Sequence, residues 1–157
     1  MRVVRVTDKV FEVEGNLKVG EIVKAGECFA VVVSVSEEEP EYMKYAGELN
    51  REEIEAYMPD VVEKTVISKC FVLRGMGENT SPKVGDEVRE VSDEELREFH
   101  LRNGEFRIPY FYNLLKSCDI EIAKSVLLRL KRIFDKEEII DILLKEVDYM
   151  MLHHMLR

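Results

Sequence analysis

The chain of 157 residues contains no tryptophan and no glutamine, and it has only three cysteines and three histidines. Cys28, Cys70 and Cys118 lie far apart, form no Cys-x-x-Cys pair and have no histidine at ligand spacing, so we predict reduced, buried thiols. His153 and His154 are adjacent on a predicted helix, where neighbouring side chains point about 100° apart, a poor geometry for chelation. We therefore predict no metal site.

Long apolar segments are also missing from the sequence. No charge-free run approaches the roughly 18 to 20 residues that span a bilayer. Near the N-terminus Arg2, Arg5, Asp8 and Lys9 interrupt the valines, which leaves no uninterrupted apolar core for a signal peptide. We expect a cytoplasmic protein with no membrane association.

Charge is abundant and unevenly distributed. Residues 1–100 hold 13 Lys or Arg against 23 Asp or Glu, a net charge of −10, whereas residues 101–157 hold 10 against 9. A negative field repels phosphate backbones, so nucleic-acid binding is disfavoured for the N-terminal part and stays open for the C-terminal part. A protein partner or a homo-oligomer is the expectation. The excess of Glu and Lys without glutamine is typical of proteins from hot environments, although seven methionines argue against that origin.

The first hundred residues show the two-residue period of β-strands. In one run Phe29, Val31, Val33 and Val35 share one face and alternate with the residues at 30, 32 and 34, which predicts that one face of this strand packs on a core. About six short strands separated by glycine turns indicate a small closed barrel. The predicted strands are 2–6, 10–14, 21–25, 28–36, 61–73 and 87–91.

After residue 91 the period changes to that of helices. We predict an α+β protein with a β-barrel domain at 1–92, a helical insertion within it at 40–58, and an all-helical module at 93–157. Capping boxes at Ser92/Glu95 and Asp135/Glu138 mark the starts of two of its helices. The predicted helices of the module are 93–99, 110–117, 120–134 and 136–157.

No catalytic or cofactor-binding residue is assigned. The glycine-containing segment 74–83 lacks the Gly-Lys-Ser/Thr ending of a phosphate-binding loop, because Pro82 and Lys83 lead into a turn. We therefore predict no nucleotide cofactor, and we find no Ser/His/Asp or Cys/His constellation. An enzyme whose site forms only in the fold stays as an alternative.

Arg129, Arg132 and Lys136 follow helical spacing and line one face of a predicted helix. A solvated face is the favoured interpretation, since the helical module carries little net positive charge. A phosphate-contacting stripe made of these three side chains is the alternative.

The final predicted helix is apolar around nearly its whole circumference, and such a helix needs cover on more than one side. Core packing and a partner-binding surface are both open for this segment, and methionine suits either. We assign six residues to a predicted partner-binding surface. They are Leu144, Val147, Met150, Met151, Leu152 and Met155.

Four short motifs occur in the order found in one known domain family. They are Gly20-Glu21-Ile22-Val23, the apolar run at 31–35, the stretch at 82–88 that reads Pro-Lys-Val-Gly-Asp-Glu-Val, and Asp93-Glu94-Glu95-Leu96. In this order they resemble the HAS barrel, the small domain shared by HerA-type DNA-translocating ATPases and rotary ATP synthases. The resemblance covers roughly residues 1–98. The sequence departs from the family in having valine at 31, 32 and 33, where the family carries a glycine.

In those ATPases the barrel is a ring-forming and partner-docking collar, and another domain performs the chemistry. The resemblance therefore implies a non-catalytic interaction or assembly module, as in an accessory subunit of a ring ATPase or a DNA-processing complex. The residues after the barrel motifs hold no ATPase motif, so nucleotide hydrolysis is not carried over. A small-barrel nucleic-acid binder of the OB type is a further alternative.

Overall fold

The computed structural model of the chain describes residues 1–38, 65–74 and 80–155. The predicted helical insertion at 40–58 lies outside the described residues. The same holds for residues 61–64 of the predicted fifth strand, for residues 75–79 of the glycine-containing segment, and for residues 156 and 157.

Six antiparallel strands form one curled sheet, and helices follow it, so the α+β class is confirmed. The spatial order is β1-β2-β5-β4-β3-β6, and every neighbouring pair is antiparallel. The strands are β1 (Val3–Val6), β2 (Val10–Glu14), β3 (Ile22–Ala25), β4 (Cys28–Glu38), β5 (Thr65–Leu73) and β6 (Val88–Glu90).

The two edges of this sheet approach each other at one end. The backbone N–H of Val3 donates to Asp86 O at 2.9 Å, and the N–H of Val88 donates to Met1 O at 2.8 Å. Arg2 and Glu87 form an isolated antiparallel bridge between the same segments. These bonds satisfy a few backbone groups that open edges would expose. The sheet is a curled half-barrel with its two edge segments in contact at this end, which we call the seam.

In the first part of β4, residues 28–32, both faces are largely buried, whereas the sequence predicted burial of only one face. Ala30 and Val32 point into the curled sheet, where they pack with Val13 and Val72. Val31, on the opposite face, belongs to a second core shared with the helices. The outer face of the sheet is therefore the platform on which the helices pack.

A β-bulge interrupts the alternation that was predicted for β4. The register with β5 shifts between Val32 and Ser34, and one extra residue at this point exchanges the two faces. Val33 packs against the helical core, but Val35 packs against the interior of the sheet. The prediction that Val35 shares a face with Val31 was wrong for this reason.

Four helices are present among the described residues. They are α1 (Asp93–His100), α2 (Phe111–Ser117), α3 (Ile120–Ile133) and α4 (Glu138–Met155). The predicted cap of α1 is confirmed, because Ser92 Oγ accepts a hydrogen bond from the N–H of Glu95 at 3.2 Å. None of the described helices combines the length and apolar character needed to cross a membrane.

The helical module contains a small β-hairpin, so the prediction that it is all helical was wrong. β7 (Leu101–Arg102) pairs with β8 (Glu105–Phe106) directly after α1. Asn103 and Gly104 connect them with positive φ angles of 55° and 79°. Two consecutive left-handed residues are the requirement of a type I′ hairpin turn, which Asn-Gly meets best.

The predicted cap at Asp135 was also wrong. Asp135 and Lys136 lie in a turn after α3, and α4 begins only at Glu138. The buried ring of Phe134 belongs to the helical core, and the turn follows it at once.

The sheet and the helices share one apolar core. Ile22, Val31 and Phe71 of the sheet pack with Leu127 of α3 and Ile140 of α4. The turn before β3 also approaches α3, since a Cβ added to Gly20 would lie 3.2 Å from Ser125 Oγ. This shared core covers one face of α4 and leaves the other face of that helix exposed.

Candidate interaction surface

One face of α4 packs inside the protein. Ile140, Leu144 and Val147 are buried, and Leu143 and Met151 pack partly buried against the same core. Leu144 and Val147 were among the predicted partner-binding residues. Their burial in the chain's own core removes both from any accessible surface, and Met151 is only partly accessible.

The other face of α4 leaves large apolar side chains in solvent. Among the described residues thirteen large hydrophobic side chains are exposed, and six of them lie on this one helix. Three predicted partner-binding residues belong to this set: Met150, Leu152 and Met155. The six are Ile139, Ile142, Tyr149, Met150, Leu152 and Met155, which we call the α4 surface.

Part of the α4 surface follows a regular spacing. Ile139, Ile142, Tyr149 and His153 fall on the alternating three- and four-residue steps that place side chains along one stripe of a helix. Glu146 occupies the remaining position of this stripe. The rings of Tyr149 and His153 stack with their centroids 6.2 Å apart. The stripe is the geometry by which a helix packs on another helix.

A cleft borders the C-terminal half of the α4 surface. It has a volume of about 620 Å³ and lies between the end of α4 and the junction of α2 with α3. Leu115, Cys118 and Ile120 contribute to one wall, and Tyr149 and Met150 contribute to the other. Asp119, Glu121, His153 and His154 complete the lining. The sequence analysis missed this cleft, because its walls meet only in the fold.

One side chain of the predicted basic stripe, Arg129, is engaged in structural contacts. Arg129 forms a 2.8 Å ion pair with Asp93 and donates to Val91 O at 3.2 Å, so it links α3 to the start of α1. Arg132 and Lys136 are exposed. The three side chains therefore do not act as one set of free cations.

A buried polar pair lies between α1 and α2. His100 and Tyr110 are 1% and 2% exposed. The Nδ1–H of His100 donates to Leu96 O at 2.7 Å, because a carbonyl can only accept, and the Tyr110 hydroxyl then donates to Nε2. Burial lowers the pKa of His100 from 6.5 to about 4 and raises the pKa of Tyr110. Every polar atom of this pair is satisfied, as in a structural element of a core.

Two cysteines, Cys70 and Cys118, have raised pKa values. Burial raises the pKa of Cys70 to about 12. For Cys118 burial and then the nearby charge of Asp119 raise the pKa to about 11. The thiolate is the reactive form of cysteine, so neither side chain is activated as a nucleophile at neutral pH.

Within 1–38, 65–74 and 80–155 no three His, Cys, Asp or Glu side chains come together in a way that could hold a metal ion. His100 is hydrogen-bonded to Leu96 and Tyr110, while His153 and His154 lie on the exposed end of α4.

Comparison with models of known protein families gives no match, and no curated protein sequence matches the chain.

Proposed function

We propose that this protein is a non-catalytic interaction and assembly module whose α4 surface docks a protein partner. The observation that carries this proposal is the concentration of exposed apolar side chains on one helix. Tyr149 is 68% exposed and Leu152 56%, while Ile140, Leu144 and Val147 on another face of the same helix are buried. Contiguous exposed apolar patches are rare on monomeric proteins and mark interaction sites.

Two properties of the α4 surface suit a docking role. First, α4 is anchored by Ile140 and Val147, both fully buried, so its outer face is presented on a fixed scaffold. Second, Tyr149 and Met150 of this surface line the cleft, and tyrosine and methionine are enriched at protein interfaces. A rigid scaffold lowers the entropic cost of binding.

We further propose that the sheet is a closed barrel of the HAS type, acting as the collar of an assembly. The order β1-β2-β5-β4-β3-β6 and the hydrogen bonds between Val3 and Asp86 support closure at the seam. The predicted role as an accessory subunit of a ring ATPase or a DNA-processing complex follows from this resemblance. In such a complex the sheet would contact the ring, and the α4 surface would hold a second component.

The proposal is tested by co-purification of the tagged, full-length protein from native extract, with light scattering on the purified protein. We expect a stoichiometric assembly that includes a ring-forming ATPase. The double substitution Met150→Glu and Leu152→Glu should dissociate its second component, because two charges would be buried in an apolar interface. Circular dichroism should be unchanged, since both side chains are exposed.

Tyr112→Glu provides the matched control. Tyr112 is 66% exposed and lies on α2, outside the sheet and outside the lining of the cleft, so its substitution should leave the assembly intact. An 18.3 kDa particle with no stoichiometric partner, or equal losses in both variants, would contradict the proposed function.

A further inference from the structure

The cleft beside α4 has apolar walls and acidic side chains in its lining. Leu115, Ile120 and Met150 supply the apolar walls. Its volume of about 620 Å³ lies within the range of roughly 300 to 1,000 Å³ typical of ligand pockets. A cleft of this kind can receive side chains of a bound segment.

Two carboxylates, Asp119 and Glu121, line the cleft, and no lysine or arginine does so. Both residues are exposed, and neither forms an ion pair with another described residue. The charge of Asp119 reaches the cleft wall, since it contributes to the raised pKa of Cys118. A cationic side chain entering the cleft would therefore meet two carboxylates that are not paired with a lysine or arginine of the described residues.

Tyr149 adds a preference among cations. Its exposed ring lines the cleft and is stacked on His153 at an angle of 10° between the ring planes. A planar guanidinium stacks on an aromatic face and also forms paired hydrogen bonds to a carboxylate, which an ammonium group does less well. Arginine therefore suits this combination of groups better than lysine.

We propose that the cleft receives a segment of a partner protein that carries an arginine next to an apolar side chain. The arginine lies against Tyr149 and between Asp119 and Glu121, and the apolar side chain packs on Ile120 and Met150. This inference rests on the proposed function and names the chemistry of the partner. A second copy of the chain fits less well, because each copy carries a net charge of −9 and brings the same carboxylates.

The test is a selection of random twelve-residue peptides displayed on phage against the immobilised, full-length protein. Enriched peptides should contain arginine adjacent to an apolar residue. Fluorescence polarisation should show about tenfold weaker binding to the double variant Asp119→Asn and Glu121→Gln, the size expected for two charge contacts. Asparagine is as good a helix N-cap as aspartate, so α3 should remain intact.

Glu90→Gln with Glu94→Gln is the matched control, since both carboxylates are exposed and lie outside the cleft. It should bind the selected peptides like the unmodified protein, and Tyr149→Ala should bind them more weakly. Selection of acidic or uncharged peptides, equal binding by the two double variants, or no enrichment at all would overturn the inference. A dimer that dissociates in the Asp119→Asn and Glu121→Gln variant would overturn it as well, by assigning the cleft to a second copy.

These outcomes are separable from a failure of the proposed function. If Met150→Glu with Leu152→Glu still dissociates an assembly in native extract, the α4 surface is an interface and only the chemistry assigned to the cleft is wrong. If that variant also changes nothing, both proposals fail together.

Discussion

Lowering the pH from 7 to 4.5 should destabilise this protein through one buried side chain, His100. Its imidazole is neutral in the folded protein because burial lowers its pKa to about 4, and this effect exceeds the opposing effect of the hydrogen bond to Leu96. In the unfolded chain the same group takes up a proton near its ordinary pKa of 6.5. The unfolded state therefore binds more protons between pH 4 and 6.5. The contribution of His100 to the free energy of unfolding is fully present above this window and is lost as the pH falls through it.

The magnitude follows from the distance between the two pKa values. At 1.36 kcal/mol for each pH unit, the interval from about 4 to 6.5 corresponds to about 3 kcal/mol in the free energy of unfolding. By pH 4.5 about 2 kcal/mol of this contribution should be gone. A loss of that size is a large fraction of the roughly 5 to 15 kcal/mol by which domains are stable.

Urea unfolding followed by circular dichroism at pH 7, 6, 5 and 4.5 measures this effect. The unmodified protein and the exposed-site control His153→Gln should lose stability over this range, whereas His100→Gln should lose about 2 kcal/mol less. An NMR titration of the His100 ring should give a pKa of about 4 even if His100→Gln folds poorly. A ring that titrates near 6.5, or identical pH dependence of all three proteins, would refute the reasoning.

Three further substitutions test the start of α1 and the two faces of α4. Ser92→Ala removes the acceptor for the N–H of Glu95 and should cost about 1 kcal/mol, visible as a lower Tm; an unchanged Tm would show that the cap does not stabilise α1. Val147→Asp places an unpaired charge in the core and should unfold the helical layer, whereas Leu152→Glu on the exposed face should change stability by no more than about 0.5 kcal/mol. Chemical denaturation compares the last two, and similar losses would mean that the faces of α4 are assigned wrongly.

Much of the fold could be predicted because local signals agree with it. Strand alternation and glycine turns located all six strands of the main sheet, and the pairing of Ser92 with Glu95 located the start of α1. The small hairpin after α1 was missed although Asn103-Gly104 is a strong hairpin signal. Its strands have only two residues each, too few for an alternating pattern to appear.

Other features depend on contacts that no local pattern reports. The bulge at Val33 follows from the register of β4 against β5. These two strands are far apart in the sequence, since β4 ends at Glu38 and β5 begins at Thr65. Of the six residues predicted to bind a partner, Met150, Leu152 and Met155 are exposed, whereas Leu144 and Val147 are buried. The apolar sequence of a helix indicates that part of its surface must be buried. Only the packing against α3 and the sheet determines that Val147 is buried in the protein and that Leu152 is exposed.

The central claim, that α4 presents a docking surface for a protein partner, is tested most directly by site-specific photocrosslinking. A photoreactive phenylalanine analogue replaces Tyr149 in one protein and Tyr112 in another, and both are irradiated in native extract. The two tyrosines are 68% and 66% exposed, so they differ in location rather than in accessibility. We expect a discrete crosslinked species from position 149 and none from position 112. Equal crosslinking at the two positions, or none at position 149, would contradict this claim.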